Sequence, residues 1–476
     1  MRKLLILLIA VLLFADPPWL PNVKVSQDPG SGNQDETTMG VFGGNLVCGG
    51  WNDNRQGGTW HVGFARSTDG GQTFQETLMY EPSYPMDCDP CIIISETGDI
   101  YYFWLSYDGS YGDIYLTKST DWGETWQPSI CVTAGSPTTL DDKPWAAIDS
   151  NNVFVTWYDY RGTYGLKFKR STDFGQTWPG TGILVGTGGN GTCPIRGTDS
   201  LVYVGWGMQD IRFNRSTNMG ASWQGQQTAI SVVWDPPTTN FRLNNIPSFS
   251  TSNDRSIIYV VFSDSRLGAN QLDVFFSRST NQGQTWMTPI KINDNQSSPS
   301  IQFYSWLSVD PQDRLHVIWH DSREGGVNDL AQYYAYSTDQ GLSWSQNYRV
   351  SDTVAYAGTF IGDYNACASD ANNVYGLWCD CRNGASNPDI FFSKAPNPVW
   401  VEENQIEAKP RKTNMILSFP NPFTNRSQID YWPRDAQLEI YQQDGRRVKE
   451  LGARGIYFLI LRKDGQLLQK KLVKIE

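Results

Sequence analysis

One octapeptide recurs six times in this chain. STDFGQTW (171–178) is accompanied by STDGGQTF (67–74), STDWGETW (119–126), STNMGASW (216–223), STNQGQTW (279–286) and STDQGLSW (337–344). Successive copies start 45 to 63 residues apart, a period that one supersecondary unit fills and that marks a propeller or solenoid. Each copy follows a short alternating segment, such as HVGFARS, DVFFSRS or GLKFKRS, which reads as a strand running into a tight turn. The residue types explain the turn. Ser and Asp or Asn accept hydrogen bonds from nearby backbone N–H groups, Gly takes a positive φ, and the closing aromatic packs under the turn. Asp69, Asp121, Asp173, Asn218, Asn281 and Asp339 are therefore expected to be architectural.

A second segment precedes each strand-and-turn unit: WNDNR (51–55), WYDYR (157–161), FSDSR (262–266), WHDSR (319–323) and WCDCR (378–382), with weaker forms at 104–108 and 205–210. Seven such segments stand against six octapeptides. The last is followed by DIFFSKA and no octapeptide, whereas PNVKVSQD (21–28) has the shape of a fourth strand with no octapeptide before it. The expectation is an all-β, seven-bladed propeller in which residues 22–26 complete the last blade and close the ring, removing exposed edges. A six-bladed ring, the alternative, leaves one segment unplaced.

The octapeptides resemble the Asp boxes, or BNR repeats, of sialidases and related β-propellers. That resemblance implies a turn between third and fourth strands, on the face away from the ligand site. It speaks to fold more than to activity.

The chain's composition bounds its partners. Residues 4–400 carry 22 basic against 39 acidic side chains, and only six of those acids are Glu. An acidic body argues against nucleic acid, and the Asp excess fits turns. Residues 1–15 combine Arg2 and Lys3 with an apolar run too short to span a bilayer, the pattern of a secretory signal, and the mature chain offers no other transmembrane candidate. Eight cysteines permit disulfides, buried thiols or, for Cys88/Cys91 and Cys379/Cys381, a metal site; with three His and none close by in sequence, no metal is expected.

The propeller is expected over 16–400 and a polar linker over 401–415. Residues 416–476, with alternating strands and Asp-Gly turns, read as a small β-sandwich. The PNPF, IYxxDGRxV and closing KKLVKI segments resemble the sorting domain of type IX secretion substrates. That resemblance implies secretion machinery as a partner and a secreted or outer-surface location. An accessory Ig-like module is the alternative.

Ligands of a propeller enter at the face bearing the loops from strand two to strand three. Inner-strand entries MDCDP (86–90) and LDDKP (140–144) bring Asp87, Asp89, Asp141, Asp142 and Lys143 there, and GDY (362–364) adds Asp363 and Tyr364. Asp87, Asp89, Asp142, Asp363 and Tyr364 are the candidates for catalysis. Lys143, Arg196, Arg242 and Arg323 are the candidates for holding a substrate, although the recurrence of D-x-R in five segments favours a structural link between blades. A sialidase needs a Tyr nucleophile, carboxylates and several Arg. The family's early F/Y-R-I-P motif is absent, so three Arg converge only if D-x-R members are recruited. Several Asp with aromatics suit a neutral or cationic sugar, or a cation such as calcium, at least as well as an anion. No cofactor is expected. The leading reading is an exported propeller that binds carbohydrate or another surface polymer. An exo-α-sialidase or other glycoside hydrolase is the alternative, and a protein–protein platform is a third.

Overall fold

The structure is a computed structural model that describes residues 18–27, 32–133, 140–160, 164–207, 209–295 and 300–398, together with the backbone of four C-terminal strands. Residues 1–15 and the 401–415 linker lie outside the described residues. The chain divides into two units, Met1–Val399 and Trp400–Glu476.

The first unit is a seven-bladed propeller. Each blade is built on four antiparallel strands, in sequence order from Gln34–Phe42, Leu46–Gln56, Thr59–Ser67 and Gln75–Met79 in blade 1 to the inner three of blade 7, and in blade 6 a short fifth strand, Ala355–Tyr356, also pairs with Asp329–Ser337. Blade 7 consists of Ala366–Ser369, Asn373–Asp380 and Asp389–Pro396, and its fourth strand is Val23–Lys24. Val23 pairs with Phe392 and Lys24 with Phe391, so the N-terminal strand closes the ring. Val25 behind it is fully buried, and Lys24 forms an ion pair with Asp389 at 2.7 Å. The six-bladed alternative is excluded, because the seventh segment has its own sheet.

The octapeptides are the turns between third and fourth strands. In the third, Ser171 donates to Asp173 at 2.6 Å, Asp173 accepts from the Thr177 N–H at 2.9 Å, and Gly175 N–H donates to Ser171 Oγ at 2.9 Å. The residue before each Gly is also left-handed, as with Phe174 (φ 59°) and Gln340 (φ 60°). The closing aromatic reaches the third strand of the preceding blade, Trp126 on Phe64 at 4.9 Å, Trp223 on Phe168 at 5.0 Å and Trp344 on Phe276 at 5.2 Å, and so ties neighbouring blades together. Phe74 closes the circle on Phe392 of blade 7. The Gly is needed for the same approach, since a Cβ at Gly220 would meet the Phe168 ring at 2.1 Å.

At the opposite end the D-x-R pairs lace neighbouring blades. Arg323 bonds Asp321 in its own segment, then Asp294 after the outer strand of blade 5 and Asn347 before that of blade 6. Its guanidinium lies 4.2 Å over Tyr333. Arg382 repeats the arrangement with Asp380, Asp352 and Asn22. Asp53, Asp321 and Asp380 each also accept from the indole N–H two residues earlier, tying a fully buried Trp to the link. Arg161 of WYDYR lies outside the described residues.

The second unit shows one antiparallel sheet: Gln437–Gln442, Arg447–Val448, Gly455–Lys463 and Gln466–Lys474. The rest of the expected sandwich lies outside the described residues. No helix among the described residues is long and apolar enough to cross a membrane.

Candidate functional site

The inner strands turn chemistry toward the propeller axis through one repeated backbone device. In blade 1, Asp35 pairs with Asn52 and Thr38 with Gly50, so two residues, Glu36 and Thr37, oppose Trp51 alone. The same β-bulge sets Asp89 and Pro90 against Trp104, Lys143 and Pro144 against Trp157, and Tyr304 and Ser305 against Trp319. The leading residue of each bulge is left-handed: Glu36 (φ 57°), Asp89 (φ 55°), Lys143 (φ 50°) and Tyr304 (φ 52°). Blade 4 places Gly191 (φ 66°) there. Each non-Gly case costs on the order of 1–3 kcal/mol, and such strain concentrates where side chains must be aimed.

What the bulges aim is a charge cluster. Lys143 Nζ lies 3.1 Å from Glu36 Oε1, 2.8 Å from Asp89 Oδ1 and 3.0 Å from Asp363 Oδ2. The 231–247 connection between blades 4 and 5 brings in Arg242, whose Nε donates to Asp363 at 2.8 Å while its Nη2 reaches Asp363 and, at 3.8 Å, Glu36. Tyr304 fixes that connection by donating to the Arg242 carbonyl at 2.6 Å. Asn52 donates to Asp35 at 3.0 Å and to Glu36 at 3.1 Å, and its oxygen accepts the Asp89 N–H at 2.7 Å. Tyr364 donates to Glu36 at 3.4 Å. A Cβ on Gly362 (φ 88°) would meet the Glu36 nitrogen at 2.6 Å, so Gly is what lets the connection into blade 7 approach blade 1 here.

Burial and charge drive the acids apart. Burial would raise Asp89, but Lys143 and hydrogen bonds from Glu36 and Asp142 outweigh it and hold Asp89 well below the usual carboxylate range. Asp363 is likewise lowered, by Lys143 and Arg242 against burial. Burial and then the Asp89 charge push Asp142 up to about 8. Burial lifts Asp35 to about 7 and holds Glu36 well above its ordinary value despite Lys143. Burial alone would discharge Lys143, and the carboxylates Asp89, Glu36 and Asp363 instead hold its ammonium firmly protonated.

These groups line a cavity of about 570 Å³ at the channel mouth, walled by Trp60, Tyr107, Tyr160 and Phe360 and by Asn52, Asn190, Asn244 and Asn245. Asn190 donates to Tyr160 at 3.0 Å and reaches Asp142 at 3.5 Å. Trp145 is stacked on Trp306 at 5.6 Å and edge-on to Tyr364 at 4.8 Å, and the three line a second, smaller cavity.

Of the residues singled out in the sequence, Asp89, Asp142, Lys143, Arg242 and Asp363 line the channel-mouth cavity, whereas Tyr364 is buried behind Glu36 and does not line it. Asp87 is buried outside it, accepting from Trp104 at 3.0 Å and facing His61 at 3.3 Å. Asp141 also lies buried outside it. Arg196 sits at the other end of its blade, bonded to Asp149 at 2.8 Å, and Arg323 belongs to the blade 5–6 link. Neither lines the cavity. The described residues contain no group of three or more His, Cys, Asp or Glu suited to a metal ion, and no disulfide. Sequence reasoning passed over Asp35, Asn52, Asn245 and the pivotal place of Glu36. A spacing was available: Glu36, Asp89, Gly191 and Tyr304 each stand 15 residues before a Trp, and Lys143 stands 14.

No protein-family model and no curated protein matches the chain. Among solved structures it is similar to a Hadza microbial sialidase, at 12% identity over 77% of this chain and 66% of that one (TM-score 0.48). It is similar to the intramolecular trans-sialidase of Ruminococcus gnavus at 12% identity, over 64% of this chain and 95% of that one (TM-score 0.46). An α-L-arabinofuranosidase of Fusarium graminearum aligns at 11% identity over 79% and 98% (TM-score 0.47). The chain spans just under two thirds of the Hadza sialidase. These likenesses are of fold.

Proposed function

We propose that this protein binds a neutral or cationic carbohydrate in the channel-mouth cavity. One observation carries the reading. The cavity combines aromatic walls with five carboxyl groups, and its two described cations, Lys143 and Arg242, are both engaged by those carboxyls. Aromatic faces with a few convergent polar groups suit a sugar ring. Arg242 is the only guanidinium among the described lining residues, which leaves an anionic sugar without a clamp. Neutral, cationic and sialylated oligosaccharides should be titrated against the full chain and against Trp60→Ala. Binding that is confined to neutral or cationic glycans and weakens in the variant supports the reading, whereas preference for sialosides defeats it.

A glycoside hydrolase is the second reading. What favours it is that an acid held protonated, Asp142, contacts one held ionised, Asp89. Release of reducing sugar that is lost in Asp142→Asn would establish it. The proposal also takes the octapeptides as Asp boxes, residues 1–15 as an export signal and residues 416–476 as a type IX sorting module. Fractionating the source cells tests the export half.

A further inference from the structure

We propose that the ligand of this cavity carries a protonated amine, as a 2-amino-2-deoxy sugar or its oligomer does. The proposal rests on the carbohydrate reading above and narrows it.

Lys143 shows what the cavity wall recognises. Glu36, Asp89 and Asp363 surround one primary ammonium at 2.8–3.1 Å, a coordination that a protonated sugar amine could share or extend. The wall holds more acid than these cations use. Asp35 is fully buried in it, with Oδ1 taken by Asn52 and Oδ2 without a partner. Asp142 shares a hydrogen bond with Asp89 but meets no cation among the described residues, and Asn190 reaches it only at the edge of hydrogen-bond range, 3.5 Å. Asn245, 2% exposed, accepts the Ser263 N–H at Oδ1 and has an unpartnered Nδ2 in the same wall. Buried polar atoms of a native protein are rarely left unpaired unless water or a ligand completes them. An unpartnered carboxylate oxygen calls for a donor and an unpartnered amide N–H for an acceptor. An amino sugar supplies both, through its ammonium and neighbouring hydroxyl. The cavity, about 570 Å³, has room for one or two sugar rings.

The groups that face the incoming amine come from every element around it: Asp35, Glu36, Asp89, Asp142 and Asp363 as acids, Lys143 and Arg242 as cations, and Tyr107, Tyr160 and the Cys88 thiol as neutral neighbours. Burial keeps Asp35 and Asp142 partly or wholly protonated near neutrality without a ligand. A bound ammonium stabilises their ionised forms, so binding releases protons.

The test is isothermal titration of the full chain with a glucosamine tetramer, its N-acetylated counterpart and a glucose tetramer, at mildly acidic pH where the sugar amine is charged. Asp35→Asn and Asp142→Asn follow, each nearly isosteric. The expected result is binding of the glucosamine tetramer about tenfold or more tighter than the other two, with proton release that differs between buffers. At least one variant should lose the preference for the glucosamine tetramer over the other two oligomers. Equal affinity for all three oligomers overturns the amine inference and leaves the carbohydrate reading intact. A preference unchanged in both variants places the amine elsewhere and also overturns it. Failure of every oligomer to bind folded protein, judged by near-ultraviolet circular dichroism, defeats both.

Discussion

Replacing Lys143 by Met removes the ammonium from among three carboxylates while nearly preserving volume. Of these, Asp363 keeps Arg242 as a partner, and Glu36 already holds its proton well above the ordinary range. Asp89 is left as a buried charge without its cation. The variant's least costly response is to protonate it. Holding a proton at pH 7 on a group whose unfolded pKa is about 3.9 costs about 4 kcal/mol, in line with about 3–5 kcal/mol for breaking a buried ion pair. In the wild type, Asp89 is lowered, so its stabilisation is present above about pH 4 and lost as the pH falls through its folded value. In the variant the deficit should grow by about 1.4 kcal/mol per pH unit above about pH 4 and vanish near it. Urea unfolding followed by tryptophan fluorescence, run on both proteins between about pH 4 and about pH 8, reads this directly. A deficit of similar size at every pH would mean that Lys143 acts by packing. No deficit at pH 7 would refute the charge cage.

Four further outcomes are expected. Asp35, Asp141 and Asp142 hold protons in the folded state up to about 7, 7 and 8, and the unfolded chain loses them near 4. Propeller stability should therefore fall as pH rises from about 4 toward 8, and a thermal midpoint that climbs across that window would contradict these assignments. Gly220→Ala combines left-handed strain (φ 83°) with a Cβ at 2.1 Å from the Phe168 ring, and should cost roughly 2–4 kcal/mol. Gly57→Ala, with φ 65° and nothing within 4 Å, should cost only about 1–2 kcal/mol in a side-by-side melt. Deleting residues 1–27 exposes the edge of Asp389–Pro396, including Phe392, and should turn a monodisperse gel-filtration peak into aggregate. Arg242→Gln removes the contact of the 231–247 connection with Asp363, and limited proteolysis should cut that connection faster than in the wild type.

The blade count and the ring closure were legible from the chain alone. Each turn is specified within eight residues, where Ser and Asp or Asn satisfy the backbone and Gly supplies φ, so six copies announce six hairpins whatever surrounds them. The fourth-strand look of residues 21–28 with no octapeptide before it announced the closing strand in the same local way. The D-x-R recurrence pointed to a shared link, and Arg323 and Arg382 make it.

The site was legible only in part. Asp89, Asp142, Lys143 and Asp363 could be placed near the mouth from their position at strand entries. The convergence of Glu36, Asp89 and Asp363 on the Lys143 ammonium could not, because it depends on bulges in several blades meeting at the axis. Arg196 and Arg242 look alike in the sequence, each near an inner strand. The first lies at the far end of its blade on Asp149, and the second is carried by a long connection onto Asp363. Local sequence fixes turns because their partners are neighbours in the chain. The cavity is made by residues as far apart as Glu36 and Asp363, and only the closed ring brings those together.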